Sequence, residues 1–292
     1  MPCAIDPAAR DDAARPLLAF AHGNGFPAGS YRKLLALLGE TFEVVAPERF
    51  GHDPAYPVSD SWPHLLAEWH AFVRRAARGR KVVLLGHSLG GLLSLMLAAR
   101  DPALLRSVIL LDAPVVAGWR AALLWGGKRS GLLWRVPPAA TARRRREVWP
   151  SLDAAQAHFA AKEIFARWDP DMLADYVAAA TEQHAGARVL RFSRDVEARI
   201  YATLPHDIGR LLRRPMQVPV GFIGGRASRE LRQAGMDATR RLVGPHLRWL
   251  EGTHLFPFEQ PQRTAQTVVE LWHALEQQAL PATAPATPSC SL

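Results

Sequence analysis

Cysteine, lysine and long apolar runs are all scarce in this chain. Of its 292 residues only two are cysteine, Cys3 and Cys290, and both lie in the terminal segments. Because thiols at the two ends cannot cross-link a core, no disulfide framework is implied and a reducing compartment is expected. No stretch approaches the roughly 18 apolar residues that a membrane-spanning helix needs. The first residues also lack the apolar segment of a secretory signal, so we expect a cytoplasmic protein.

The net charge is +9, and lysine accounts for little of it because it occurs only at positions 33, 81, 128 and 162. Abundant arginine with alanine and proline is typical of a GC-rich coding sequence, so we favour a solvated basic surface with no dedicated partner. The alternative is a basic face that attracts anionic substrates or lipid headgroups, to which the run Arg143–Arg146 would contribute. No nucleic-acid-binding motif accompanies this run, so no nucleic-acid partner is expected.

Strand and helix patterns alternate in two separate parts of the chain. Short apolar runs alternate with amphipathic segments, which predicts βαβ crossovers and an α/β fold with a mostly parallel sheet. The six predicted main strands are residues 17–21, 42–46, 82–85, 108–111, 218–223 and 247–250. About sixteen residues precede the first of them, which leaves room for at most a ragged edge strand near Ile5.

Between the two parts, residues 114–215 contain no convincing strand pattern. The segment is rich in tryptophan and arginine, with helical patterns at Asp153–Arg167 and Asp171–Gln183. We therefore predict a helical cap at 114–215, inserted into a core of 16–113 and 216–279. Residues 1–15 and 280–292 are expected to be tails, the second of them proline-rich and disordered. Because open α/β sheets bind ligands at the carboxyl ends of their strands, the residues after each strand are the candidate site.

The segment Gly86-His87-Ser88-Leu89-Gly90 follows a buried apolar run and precedes a helical pattern. It fits the pattern G-x-S-x-G, in which a tight strand-to-helix turn presents a serine hydroxyl at the sheet edge. The N–H of Leu89 would then be free to stabilise an oxyanion. The simpler interpretation is an ordinary strand-to-helix turn. The context of strand and helix favours Ser88 as a nucleophile.

A serine nucleophile needs a base to take its proton, and a histidine after the last strand would provide one. His254 occupies that position, in the segment Gly252-Thr253-His254-Leu255-Phe256-Pro257. The other interpretation is a structural histidine, which applies to most of the eleven in the chain. Its place between the last strand and the last helix favours His254 as the base.

Three segments together carry a family resemblance: His22-Gly23-Asn24, Gly86–Gly91 and Gly252–Pro261. In their order and spacing the chain resembles the α/β-hydrolase superfamily, in its capped form, over roughly residues 15–280. The resemblance implies an α/β-hydrolase fold and a second oxyanion donor from the backbone of Asn24 or Gly25. It also implies that Phe26 and His87 contribute to the substrate pocket.

The chain departs from the family pattern at the acid that orients the histidine. The family usually has Asp in the loop after the penultimate strand, and here that position holds Ser228, which cannot supply a negative charge. Asp112, at the end of a strand, is the position that some capped members use, and we favour it. Glu230, near the usual loop, is the alternative, and a dyad of Ser88 and His254 without an acid is a third option.

These observations predict a serine hydrolase that cleaves an ester or thioester with an apolar acyl or aromatic group, without metal or cofactor. C–C bond hydrolases, lactonases, amidases and acyltransferases use the same residues and stay open, as does the oligomeric state. Two other classes of function also stay open. One is a protein of this fold that binds a ligand without catalysis. The other is a membrane-surface protein that uses the Arg- and Trp-rich segment 119–149.

Overall fold

The computed structural model of the protein describes residues 15–279. Its core alternates strands with helices, as the pattern predicts. The core elements before the insertion are β1 (Leu17–Ala21), α1 (Arg32–Leu38), β2 (Glu43–Val45), α2 (Pro63–Ala77), β3 (Val82–His87), α3 (Leu89–Arg100) and β4 (Leu105–Leu111). Two strands are longer than the sequence predicts. β3 continues from residue 85 to His87, and β4 begins three residues earlier, at Leu105.

The insertion contains short helices and three short strands. Its elements are α4 (Gly118–Arg129), α5 (Ala139–Arg143), β5 (Val148–Trp149), α6 (Leu152–Ala160), α7 (Pro170–Ala180), β6 (Thr181–His184), β7 (Ala187–Leu190), α8 (Arg194–Ala202) and α9 (Ile208–Leu211). The core then resumes with β8 (Val220–Gly225), α10 (Arg229–Ala234), α11 (Asp237–Val243), β9 (Leu247–Leu250), α12 (Phe256–Glu259) and α13 (Pro261–Ala279).

The main sheet has six strands in the order β2-β1-β3-β4-β8-β9, and every neighbouring pair is parallel. Alternate residues of a strand face opposite sides, so β1 packs Leu17 and Ala19 on one face and Leu18 and Phe20 on the other. Helices α2 and α3 cover the first face, and α1 and α13 cover the second. Burial on both faces explains why these strands are apolar without alternation.

The expectation of a strand-free insertion is wrong, because β5, β7 and β6 form a three-stranded antiparallel sheet. The predicted helix Asp171–Gln183 ends at Ala180, and the chain continues into the hairpin β6–β7. Ala185 and Gly186 form its two-residue turn, with φ of 46° and 82°. Such turns usually carry Asn-Gly or Asp-Gly. The strand β6 is mostly exposed and polar, so neither the turn nor the strand has a typical sequence signal.

Two further differences concern the core. The predicted helix 230–242 is divided into α10 and α11 around Gly235, whose φ of 75° interrupts the helix. The region near Ile5, considered for an edge strand, lies outside the described residues. Among the helices of residues 15–279, none has both the length and the apolarity to cross a bilayer.

The nucleophile turn is held by close contact between backbones. Helix α3 crosses the end of β1 so closely that a Cβ on Gly90 would overlap the carbonyl group of Ala21. A Cβ on Gly86 would in turn overlap the backbone of Gly90. These glycines therefore allow α3 to begin directly after β3, with Ser88 between them.

Replacing Gly90 by alanine is expected to lower the free energy of unfolding by about 3 kcal/mol or more, because rigid backbone cannot move aside for the methyl group. Gly126, a helical glycine with no atom near its Cβ direction, is the matched control. There alanine should leave stability unchanged or raise it by up to about 1 kcal/mol. Urea unfolding followed by circular dichroism measures both variants. Equal stability of Gly90→Ala and the wild type would contradict the close crossing.

Candidate active site

Ser88 lies between β3 and α3 in a strained conformation, with φ 51° and ψ −112°. A positive φ costs a non-glycine residue of the order of 1–3 kcal/mol, so the surrounding structure has to hold it. It does so through hydrogen bonds from the Ser88 N–H to the Leu111 carbonyl, 3.0 Å, and from the Leu92 N–H to the Ser88 carbonyl, 3.1 Å. Within residues 15–279 the Ser88 hydroxyl has no hydrogen-bond partner, and the side chain is half-buried.

The structure brings His254 and Asp112 together at the same sheet edge. The Nδ1 of His254 lies 2.7 Å from Oδ1 of Asp112, which makes this a hydrogen-bonded pair. Asp112 follows β4 and is fully buried, whereas the His254 side chain keeps 18% of its surface exposed. Asp112 also has a positive φ, 45°, a conformation that Asp tolerates better than most residues.

The Asp112 carboxylate is held by two more donors. Its Oδ2 accepts from the backbone N–H of Gly225 at 2.7 Å, and its Oδ1 accepts from the hydroxyl of Ser228 at 2.7 Å. Ser228, where the family usually places the acid, therefore contacts the carboxylate that occupies the alternative position. The same hydroxyl accepts from the N–H of Leu231 and so caps α10. The buried carboxylate therefore accepts from three donors: Gly225, Ser228 and His254.

Glu230 lies near this pair and is not turned away from it. Ligand atoms of Glu230, Asp112 and His254 all lie within 4.8 Å of one another. The Ser228 hydroxyl is 3.3 Å from Glu230 Oε2, which links the two carboxylates. Such a group could hold a metal ion, a grouping that sequence spacing does not indicate. Both oxygens of Asp112 are already engaged in hydrogen bonds, which disfavours it as a ligand.

The pKa of His254 is raised above its ordinary value of 6.5. Burial by itself lowers it, but the hydrogen bond to Asp112 and the charges of Asp112 and Glu230 outweigh the burial. The pKa values of two other histidines nearby shift in the opposite direction. Burial lowers the pKa of His22 to about 4, and burial together with the charge of His254 lowers that of His87 to about 3. Of these three histidines, only His254 has a pKa shifted towards its charged form.

The loop after β1 forms a turn whose backbone faces the same cavity as Leu89. The N–H of Phe26 donates to the carbonyl of Gly23 at 3.1 Å, and Gly25 has φ 79°. In the described part of the chain, the N–H groups of Asn24 and Gly25 have no acceptor, nor has that of Leu89, the first residue of α3. Because these N–H groups border one cavity, they are candidates to bind a developing oxyanion.

The cap holds this turn from above through Glu197 of α8. Its backbone carbonyl accepts from the Asn24 side chain at 2.9 Å, and a Cβ on Gly25 would lie 2.5 Å from its carboxylate. Arg145 neutralises that buried carboxylate with two parallel hydrogen bonds, 2.9 Å and 2.7 Å long. Gly25 is therefore required both by its φ and by the contact with Glu197.

His87, which the resemblance places in the substrate pocket, is not among the residues that line this cavity. It is fully buried and bonded at both ring nitrogens, to the Tyr31 hydroxyl at 2.7 Å and to the His254 carbonyl at 2.9 Å. Tyr31 also accepts from the N–H of Gly23 at 3.1 Å, so it donates to Nδ1 of His87. His87 then carries its proton on Nε2 and donates it to His254. This chain of bonds connects the oxyanion turn to the backbone of His254.

The cavity that the loop after β1 shares with Leu89 is small, and residues of the cap form part of its wall. Its volume is about 10 Å³, room for about one water molecule. Phe26, the other residue that the resemblance places in the substrate pocket, forms part of the wall and packs against Phe258 and Tyr176. The other lining residues include His22, Asn24, Gly25, Leu89, Phe192 and Ile200. A larger groove, about 900 Å³, lies at the amino ends of β4 and β8, the opposite edge of the sheet.

Tyr31, Glu197 and Ser228 contact the candidate site residues but are not indicated by the sequence. Tyr31 lies within a helical pattern, and Glu197 lies in a cap whose fold the sequence does not predict. At Ser228 the sequence shows only that the expected acid is missing. No local pattern distinguishes such residues, because their role comes from contacts between distant segments.

The charge of Glu230 generates a prediction for His254. Glu230→Gln should lower the pKa of His254, because it removes a nearby negative charge, and Asp112→Asn should lower it further. Glu251→Gln is the control, since Glu251 is exposed and pairs with Arg226. NMR titration of the His254 imidazole, assigned by its loss in His254→Gln, measures all three. A wild-type pKa below 6.5, or no change in Glu230→Gln, would contradict this electrostatic arrangement.

Comparisons with known proteins agree with this architecture. A 2-(acetamidomethylene)succinate hydrolase of Mesorhizobium japonicum is 30% identical over 109 residues, which are 35% of this chain and 37% of that protein. A serine hydrolase-like protein of Homo sapiens is 32% identical over 97 residues, 32% of this chain and 48% of that protein. The matches thus span less than half the length of these curated relatives.

Similarity to solved structures extends over most of the chain. The crystal structure of an E-2-(acetamidomethylene)succinate hydrolase superposes with a TM-score of 0.69. The superposition covers 88% of this chain and 91% of that one at 22% identity, which is a likeness of fold. The model of the family described as "Alpha/beta hydrolase family" matches residues 18–267. Because that match covers most of this chain, the chain belongs to the alpha/beta hydrolase family.

Proposed function

We propose that the protein is a serine hydrolase that cleaves a carboxylic ester or thioester through an acyl-enzyme on Ser88. The observation that carries the proposal is the hydrogen-bonded pair His254–Asp112 at the sheet edge where Ser88 has a free hydroxyl. A histidine with only a structural role would not need a fully buried carboxylate as its partner. An aspartate that only caps a turn would not need three hydrogen-bond donors. The family membership and the hydrolases among its relatives support the reaction class.

In the proposed mechanism, each residue has a separate task. Ser88 Oγ attacks the carbonyl carbon while His254 Nε2 takes its proton, and Nδ1–H of His254 donates to Asp112. The N–H of Leu89 and that of Asn24 or Gly25 stabilise the tetrahedral oxyanion. His254 then gives its proton to the leaving alcohol or thiol, and the acyl group stays on Ser88. Water, deprotonated by His254, attacks the acyl-enzyme and releases the acid.

Asp112 rather than Glu230 is proposed as the orienting acid. Its carboxylate bonds directly to Nδ1, while Glu230 acts on His254 only through its charge. Ser228 and Gly225 fix the Asp112 carboxylate in place, so the imidazole is held in the tautomer that leaves Nε2 free for Ser88. Glu230 is then a neighbouring charge that raises the pKa of His254.

The cavity supports the substrate class in part. Phe26, Phe192 and Ile200 form an apolar part of its wall, which also contains histidine, arginine and glutamate residues, and this apolar part favours an apolar acyl or aromatic group. At about 10 Å³ this cavity would hold only a small part of such a group. The matches to the curated relatives are too short for the substrates of those proteins to be assigned to this chain. Cytoplasmic location also stays a prediction from the sequence.

A fluorophosphonate probe should label the wild-type protein covalently at Ser88, because an activated serine attacks the phosphorus as it would an acyl carbon. Labelling should be lost in Ser88→Ala and kept in Ser130→Ala, which changes an exposed cap serine. Intact mass and peptide mapping identify the adduct. The wild type, but not Ser88→Ala, should also release p-nitrophenol from p-nitrophenyl esters, faster as the acyl chain lengthens from acetyl.

Two results would contradict the proposal. Absence of probe labelling, while a ligand still binds the folded protein, would indicate a non-catalytic binding protein. Labelling that persists in Ser88→Ala would place the reactive group elsewhere.

A further inference from the structure

The cap presents an unusually apolar surface to solvent. It is formed by α4 and by the short 3₁₀ turn Leu132–Trp134 that follows it. We call this surface the α4 patch. Its exposed side chains are Trp119 at 64% exposure, Leu123 at 65%, Trp125 at 50%, Leu132 at 51% and Trp134 at 37%. Large exposed apolar patches on a folded protein usually mark an interaction surface.

Helix α4 is oriented with its apolar side outward. None of its residues is buried, and Trp119 and Leu123, one turn apart, lie on the exposed side. The polar residue Lys128 instead points inward, where its side chain is only 8% exposed and its Nζ bonds to Asp60 at 2.6 Å. A surface helix that only packs on a core has the opposite arrangement. An exposed apolar side of this kind favours a partner that covers it.

The charged residues of the segment that contains the α4 patch are all positive. From residue 113 to residue 146 the sequence contains no aspartate or glutamate. Two of its arginines lie beside the exposed tryptophans, Arg120 at 4.5 Å from the Trp119 ring and Arg129 at 5.7 Å from the Trp125 ring. Lys128 and Arg145 pair with Asp60 and Glu197 of other segments. The other cations in this stretch are Arg120, Arg129, Arg135, Arg143, Arg144 and Arg146.

A second copy of the chain is a poor partner for this surface. A two-fold dimer would place the α4 patch against itself, because such interfaces are self-complementary. The arginines of both copies would then face one another with no carboxylate in residues 113–146 to compensate them. The partner has to be apolar and anionic at once.

An anionic phospholipid surface has both properties. Tryptophan side chains are favoured at the boundary of headgroups and acyl chains, and arginines beside them reach the lipid phosphates. A helix with this composition lies in the plane of the interface. We propose that the α4 patch is a binding site for anionic phospholipid bilayers, through which the cap attaches to the membrane surface.

The way α4 is held is compatible with this role. A groove of about 440 Å³ lies beneath it, lined by Ala121, Trp125 and Arg210 among others. The inner side of the helix, where Trp125 borders the groove and Lys128 bonds to Asp60, is therefore only partly packed. The apolar side chains remain available for the bilayer without unfolding of the core. This inference does not depend on hydrolysis at Ser88.

Co-sedimentation with vesicles tests the proposal. Wild-type protein should sediment with phosphatidylcholine vesicles that contain phosphatidylserine, and not with pure phosphatidylcholine. High salt should weaken the binding, because it screens the arginines from the lipid phosphates. The double variant Trp119→Ala/Trp125→Ala should bind at least about tenfold more weakly, since it removes most of the apolar contact. Arg129→Glu should weaken binding at low salt.

Two matched controls separate the patch from general effects. Ile164→Ala removes an apolar side chain with 55% exposure elsewhere in the cap, and Arg167→Glu reverses an exposed charge outside the segment. Both should bind vesicles as the wild type does, and thermal melts check that all variants fold. Ser88→Ala should also bind normally, so the result is independent of the proposed hydrolase activity.

Three outcomes would overturn the proposal. The first is no sedimentation of the wild type with phosphatidylserine vesicles at low salt. The second is equal binding by the wild type and the double tryptophan variant when both are folded. The third is a wild type that is dimeric in sedimentation velocity and does not bind vesicles, with the double variant monomeric, which would assign the α4 patch to self-association.

Discussion

The hydrogen bond between His254 and the buried carboxylate of Asp112 is the interaction on which the candidate site depends. It joins the loop after β9 to the end of β4, and so fixes the last segment of the core relative to the strand beside the nucleophile. Burying a carboxylate costs several kcal/mol in lost hydration. Three hydrogen bonds to a charged acceptor, each contributing about 1.5–3 kcal/mol, offset that cost. If any of these donors were lost, the cost of burying the carboxylate would be offset less completely.

Strain at two positions is a consequence of this arrangement. Ser88 and Asp112 both have positive φ, at the ends of neighbouring strands β3 and β4. Each conformation is unfavourable by itself, so both persist only because the sheet, α3 and the hydrogen bonds around Asp112 hold them. The close contacts at Gly86 and Gly90 belong to the same turn, where α3 begins directly after β3. The site is rigid on the sheet side, whereas the cap side consists of short elements around a small cavity.

Much of the core could be predicted from the sequence because its signals are local. Apolar runs buried on both faces mark the strands, and the glycines around Ser88 mark the turn. The position of Asp112 was predictable only as one of two options, since no local pattern says which carboxylate reaches His254. The structure shows Ser228 bonded to Asp112, so the residue that seemed to be a missing acid contacts the favoured one. Glu230 nevertheless lies close enough to act on His254 by its charge.

The cap was harder to predict for physical reasons. Its strand β6 is polar and exposed, its hairpin turn lacks the usual residues, and α4 has its apolar side outward. Periodicity assumes that apolar residues face inward, and it predicts helices at Asp153–Arg167 and Asp171–Gln183 but none at α4. The arginine excess had a simple explanation in composition, and only the exposure of the tryptophans beside it favours a lipid partner. Sequence pattern therefore predicts elements better than it predicts what they face.

The central claim is that Asp112, held by Ser228 and Gly225, orients the catalytic base. Turnover of a p-nitrophenyl ester by Asp112→Asn, compared with the wild type and with Glu230→Gln, tests it most directly. The account predicts that Asp112→Asn lowers kcat by about 10³- to 10⁴-fold, as loss of the orienting acid does in serine triads. Glu230→Gln should lower kcat by less than about tenfold, because it changes only a neighbouring charge. Near-normal turnover by folded Asp112→Asn, with a large loss in Glu230→Gln, would contradict the account.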